Sequence, residues 1–173
     1  MQTAAKLGYS AIAVTDFQSL AGVVRGHLAA KNAGIPYIVG ARLEVATDFS
    51  EPGRGAAPIS LLVYPTDRAS YGRLCRLLTI GKLKAEKGGC VLHLSELLTH
   101  EEGLAITIVP PRIAGYDPSA VNLREHTFQR IAGHLKQRCS RPDLLSIALT
   151  RSYGSNESLQ LGSVERVAHR LHI

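Results

Sequence analysis

The stretch Ser10–Gly40, SAIAVTDFQSLAGVVRGHLAAKNAGIPYIVG, limits the fold more than any other part of the chain. Ser10–Thr15 is an apolar run of strand length that carries the β-branched Ile12 and Val14. Asp16-Phe17-Gln18-Ser19 breaks it. Leu20–Asn32 then places Leu20, Val23, Val24, His27, Leu28 and Lys31 at helical spacings, with the apolar members on one face. Gly34 suits the left-handed position just past a helix end, and Pro36 prevents continuation. Tyr37–Val39 restarts a strand. A strand, a helix and a strand with such short connections require a parallel pair and a right-handed crossover. Asp16 then falls at the carboxyl end of a parallel strand, where α/β proteins place their chemistry.

The remainder continues the alternation. Thr3–Leu7 reads as the closing turns of a helix ended by Gly8. Arg42–Ala46 alternates as a strand, and Thr47–Pro58 is a Gly- and Pro-rich excursion of hairpin type. Ile59–Tyr64 has the near-continuous apolar pattern of a buried parallel strand. Pro65-Thr66-Asp67 opens a long helix with Thr66 as its cap, bent at Gly81 and ended by Lys87-Gly88-Gly89. Val91–Leu94 is extended. Ser95 begins a brief helix, where Ser95 and Leu98 do not make a capping box. Leu104–Val109 is a strand closed by Pro110-Pro111, and residues 112–119 form an irregular link. Ala120–Cys139 is a helix with Val121, Phe128, Ile131 and Leu135 on one face. Leu144–Leu149 is a strand and Arg151–Ser155 a loop. Glu157–Leu171 is a helix whose apolar face carries Leu161, Val164, Val167, Ala168 and Leu171. This order predicts an α/β fold, a mainly parallel sheet with flanking helices.

At 173 residues the chain suffices for a single domain, 1–173, with a core built from Leu, Ile, Val and Ala, since Trp is absent. No apolar run approaches membrane-spanning length. The opening MQTAAKLGYS lacks the pattern of a signal peptide and starts in mid-helix without a cap, so a truncated chain is expected. Cys75, Cys90 and Cys139 are isolated, with neither CxxC nor zinc-ligand spacing, which fits free thiols in a reducing cytoplasm. Net charge of +6 is compatible with a nucleic-acid partner without requiring one.

VTDFQSLAGVVRGHLAAKNAGIPYIVGARL resembles the polymerase-and-histidinol-phosphatase (PHP) domain of bacterial C-family DNA polymerases, with the closest likeness to the error-prone members. Residues 61–89, LLVYPTDRASYGRLCRLLTIGKLKAEKGG, resemble the same family and are the more specific match. The resemblance implies a distorted seven-stranded β/α barrel of TIM-like form, here incomplete and lacking both ends. It also implies a site of two or three zinc, manganese or iron ions on His, Asp and Glu at the strand ends, suited to phosphoester hydrolysis.

Against that pattern the ligand positions are replaced. No His-x-His precedes Asp16. The family's Thr-Asp-His reads Thr15-Asp16-Phe17, its Gly-x-Glu reads Gly40-Ala41-Arg42, and a strand-opening His is Ser60. A guanidinium at a metal site would repel the ions by on the order of several kcal/mol, and Arg42 could instead pair with Asp16. Asp16, Phe17, Arg42 and Ser60 are therefore read as degenerate metal positions, with no catalytic residue and no cofactor expected. Asp16 itself reads more readily as a turn or cap residue than as a ligand. Among the seven histidines none forms HxH or HExxH; His93 and His100 could meet, though an unrelated polar role is the better reading.

The helix after Tyr64 is basic. Tyr71, Leu74, Cys75, Leu78 and Ala85 project to one side, and Arg73, Arg76, Lys84 and Lys87 roughly opposite. These four are either a solvated face or a phosphate-backbone or partner-protein surface. The expected function is that of a PHP-domain scaffold in an error-prone, translesion DNA polymerase acting in replication and repair. DNA and other polymerase domains would be its partners, and the open barrel would favour self-association. Two alternatives stand beside it: a free-standing metal-dependent phosphoesterase of the same superfamily, and a nucleic-acid-binding or adaptor domain.

Overall fold

The structure, a computed structural model, describes residues 1–51, 55–56, 58–111, 118–151 and 157–173. In chain order the elements are α1 (Gln2–Lys6), β1 (Ile12–Phe17), α2 (Val23–Ala33), β2 (Tyr37–Ala46), β3 (Ser50–Glu51), β4 (Gly55–Ala56) and β5 (Ile59–Pro65). There follow α3 (Arg68–Leu83), β6 (Leu92–His93), α4 (Leu94–His100), β7 (Leu104–Val109) and α5 (Pro118–Arg138). A short 3-10 turn at Pro142–Leu144 leads to β8 (Leu145–Ile147), and α6 (Glu157–Leu171) follows it. The expected links 112–119 and Arg151–Ser155 lie largely outside the described residues, as does the side chain of Val121.

The opening unit forms as its local signals require. β1 and β2 pair in parallel from Ile12↔Tyr37 to Phe17↔Arg42. Gly34 ends α2 at φ 68°, a conformation that costs glycine nothing. β2 is longer than expected, because Gly40 does not interrupt it. A Cβ at Gly40 would meet the Tyr64 ring at 2.6 Å, so the glycine lets the ring of the neighbouring strand lie across β2.

The sheet order is β1-β2-β5-β7-β8, with β6 pairing the far end of β2. Five strands run one way. β5 is the exception: it is antiparallel to both β2 and β7, which corrects the expectation of a parallel strand there. An apolar run signals burial on both sides, and that is met equally by either direction. The β3–β4 pair is the hairpin expected within 47–58. The sheet is not closed.

The core occupies one face. Ala41, Leu43 and Val45 of β2, Ile59, Leu61 and Val63 of β5, and Leu104, Ile106 and Ile108 of β7 are buried. They pack against Leu74, Leu77 and Leu78 of α3, Leu94 and Leu97 of α4, Phe128, Ile131, Ala132 and Leu135 of α5, and Val167 of α6. Burying each such side chain stabilises the fold by roughly 1.5–3 kcal/mol before entropic losses. The alternate residues Arg42, Glu44, Ser60, Leu62, Tyr64, Thr107 and Ser146 form the more exposed face.

Two helix starts differ from expectation. The cap of α3 is Asp67, not Thr66: its carboxylate accepts the Ser70 N–H at 2.7 Å, and the Ser70 hydroxyl accepts the Asp67 N–H at 3.0 Å. Thr66 instead donates its hydroxyl to the Gly103 carbonyl at 2.8 Å, tying the helix entry to the start of β7. α4 begins one residue before Ser95, and the Glu96 carboxylate accepts the His93 N–H at 2.9 Å. The capping signal was therefore present, shifted from Ser95 to His93.

Candidate functional site

The four positions that the sequence marks as candidate metal positions divide between the two faces of the sheet. Phe17 and Arg42 are in register on β1 and β2, and Arg42 Nε donates to the Ser60 hydroxyl at 2.9 Å across to β5. These three residues share the exposed face, where Phe17 is 58% exposed. Asp16 is in register with Ala41 and projects to the helix side, where Oδ2 accepts the Gly22 N–H at 2.5 Å. The Asp16–Arg42 pairing raised from the sequence does not form; strand alternation separates the two side chains. Asp16 thus organises the turn into α2, the structural role expected of it. On that side its charge, after the effect of burial, raises the Tyr37 phenol above its usual value. On the other face burial raises Tyr64.

The wider donor inventory is sparse. Among the described residues no group of three or more His, Cys, Asp or Glu side chains converges. His93 and His100 both engage Glu96, one through its backbone N–H and the other through Nδ1 on the Glu96 carbonyl at 2.9 Å. They serve the α4 helix rather than each other. The three cysteines are free thiols. Burial, aided by Glu101, pushes Cys139 up to about 11, and burial raises Cys90, so neither is a ready thiolate.

The basic row on α3 is partly consumed by local pairing. The buried face is Ser70, Leu74, Leu77, Leu78 and Gly81, so the helix is rotated from the face expected, and Tyr71 is exposed. Arg73 flanks that face, where Nε donates to the Glu102 carbonyl at 2.8 Å and the guanidinium lies 3.5 Å from the Glu102 carboxylate. Lys84 is bound to the Glu96 carboxylate, whose pKa this contact lowers. Arg76 and Lys87 are exposed and make no ion pair among the described residues. The four cations do not form one free surface.

A different basic feature is found on α5. His126, Gln129, Arg130, Gly133, His134 and Gln137 line a cleft of about 340 Å³, together with Phe49 and Leu171. The Arg130 guanidinium lies over the Phe49 ring at 5.1 Å, and the His134 ring meets the same ring edge-on at 5.4 Å. The spacing of four between His126, Arg130 and His134 was visible in the sequence. Phe49, which completes the cleft from the segment before β3, had no local signal.

The PHP domain family matches residues 1–143. An error-prone DNA polymerase of Caulobacter vibrioides is 44% identical over 163 residues, covering 94% of this chain and 13% of that protein. Error-prone DNA polymerase 2 of Agrobacterium fabrum is 41% identical over 172 residues, covering 99% of this chain and 14% of that protein. The chain thus spans about a seventh of the length of these relatives. Among solved structures, a protein from Bifidobacterium adolescentis described as a metal-dependent phosphoesterase aligns with 99% of this chain and 77% of its own. Its TM-score is 0.58 at 11% identity, a likeness of fold alone.

Proposed function

The chain belongs to the PHP domain family, and we propose that it is a structural module of an error-prone DNA polymerase whose metal site has lost its ligands. The observation that carries this reading is the trio Phe17, Arg42 and Ser60 on the exposed face of the sheet. A phenyl ring binds no metal, a guanidinium opposes a cation, and the one hydroxyl already accepts from that guanidinium. The carboxylate of Asp16, the remaining oxygen donor of the set, is on the other side and engaged by Gly22. These residues do not fit a zinc, manganese or iron centre, and no hydrolytic step follows from them. The same substitutions weigh against a free-standing phosphoesterase.

The scaffold role draws on the shape of the sheet. Phe17 and Ile38, at 58% and 45% exposure, leave apolar surface on the face opposite the core. Packing of that face against another part of a larger polymerase would remove it from water. The core cluster runs from Ala41 to Val167, which supports reading 1–173 as one domain. DNA as a partner of the larger protein is supported by relatives named error-prone DNA polymerases, and a part in translesion synthesis and repair rests on the family resemblance of the sequence. Free thiols favour a cytoplasmic setting; among the described residues no helix is long and apolar enough to cross a membrane.

Elemental analysis of the purified chain tests the reading. Zinc, manganese and iron should each stay well below one ion per chain. Two or more tightly held ions would overturn the loss of the site. For the scaffold, light scattering should show concentration-dependent self-association that Phe17→Ser weakens; a stable monomer at high concentration would count against it.

A further inference from the structure

The cleft along α5 has a composition that the scaffold role does not explain. Among the described residues its walls offer one guanidinium, two imidazoles and two primary amides, and no carboxylate. Arg130 makes no ion pair among the described residues, although Arg166, Arg141 and Arg73 each have one. Arg170 donates to the Gln129 carbonyl oxygen at 2.6 Å, which turns the Gln129 amide N–H groups away from that contact and leaves them free to donate. An aromatic ring beneath a guanidinium fixes its plane while its N–H edge remains available, so less freedom is lost when an anion binds.

The arrangement follows from helical geometry. His126, Arg130 and His134 repeat every four residues, and Gln129, Gly133 and Gln137 fill the same stripe. The opposite side of α5 carries Phe128, Ile131, Ala132 and Leu135 into the core. The stripe is therefore fixed outward by burial of its back. Successive donors are about 6 Å apart along the axis, a row that suits an anion with repeating charges better than a single one.

We propose that this cleft binds the phosphodiester backbone of a nucleic-acid strand. Recognition is by charge and hydrogen bonding and is blind to sequence, because the Phe49 ring has Arg130 over one face and is packed against the core, which leaves little of it for a base to stack on. The site is distinct from the α3 row, where two of four cations are held by Glu102 and Glu96. It does not depend on the state of the metal positions.

The test is fluorescence anisotropy of the full chain with a labelled oligonucleotide, single-stranded and duplex, from low to moderate salt. Binding should be weak and fall with salt at a slope near −1, as expected for the one guanidinium of the cleft. Arg130→Gln should weaken it several-fold and flatten the slope by about one. His126→Ala, at an exposed position remote from the core, should also weaken it, while Arg76→Ala on α3 should not. Circular dichroism of each variant separates lost binding from lost folding. No binding at low salt would overturn the proposal. So would binding that ignores both cleft variants, equal competition by a mononucleotide, or equal competition by an oligoglutamate peptide. Metal content plays no part in the readout, so this result and that of the elemental analysis are independent.

Discussion

Asp16 and Arg42 sit one register step apart on adjacent strands, yet their side chains leave opposite faces of the sheet. The carboxylate turns toward α2 and the guanidinium toward β5. This geometry makes Asp16 a fastening of the β1–α2 turn. Asp16→Ala leaves the Gly22 N–H without its acceptor and should destabilise the chain by about 1–2 kcal/mol. Asp16→Asn keeps an oxygen acceptor and should cost clearly less. Urea unfolding of both variants checks this; equal effects would mean that the hydrogen bond is not what Asp16 contributes.

Gly81 is a tight contact between α3 and the sheet. A Cβ there would lie 2.6 Å from Cys90 Sγ and 2.6 Å from a Leu92 methyl. α3 is thus pressed against β6 at a point where only hydrogen fits. Gly81→Ala should destabilise by roughly 1–3 kcal/mol despite the better helix propensity of alanine. Adding Cys90→Ala should recover part of the loss, since it relieves one of the two contacts. A stabilised Gly81→Ala variant in thermal melts would show that the strand yields without cost.

Two partly buried carboxylates give the chain an acid limit. Lys84 holds Glu96 below its ordinary value of 4.5, and Arg166 does the same for Glu125. A group depressed in the folded state adds stability that is present above its unfolded pKa and is lost as pH falls through the folded one. The melting temperature should accordingly be level above about pH 5 and fall as pH drops below 4.5. Each pair has one partner well exposed, so its contribution near neutrality is about 0.5–1 kcal/mol at most. The double variant Glu96→Gln, Glu125→Gln should flatten the acid limb. An unchanged limb would place the proton-linked loss elsewhere.

What could be read from the sequence followed the range of each signal. The unit from Ile12 to Ala46 was legible because its determinants are local: strand-length runs, a helical repeat, and Gly34 where a left-handed residue is required. Phe17, Arg42 and Ser60 were legible as departures from the resembled pattern, and their common face followed from alternation only once the strands were paired. The direction of β5 was not legible, since hydrophobicity reports burial and not polarity of the chain. The cap at Asp67 was missed by one residue because threonine and aspartate are both good caps, and Gly103, far along the chain, decides which is free. The α5 cleft needed Phe49, about eighty residues away from its other wall in the sequence.

The reversed direction of β5 bears on how the sheet can come together. Val45 pairs with Ile59, so the ribbon at the middle of the sheet closes over the shortest span of chain. Ile12 meets Tyr37 across one helix, whereas Pro65 must wait for Leu104, and Ile106 for Leu145. The entropy lost on closure grows with the span enclosed. Within the six-stranded sheet the central ribbon is therefore the cheapest pairing to form; β1 comes next, and β7, β8 and β6 enclose longer spans. A strand that departs from the direction of its neighbours thereby gives the chain a place to begin.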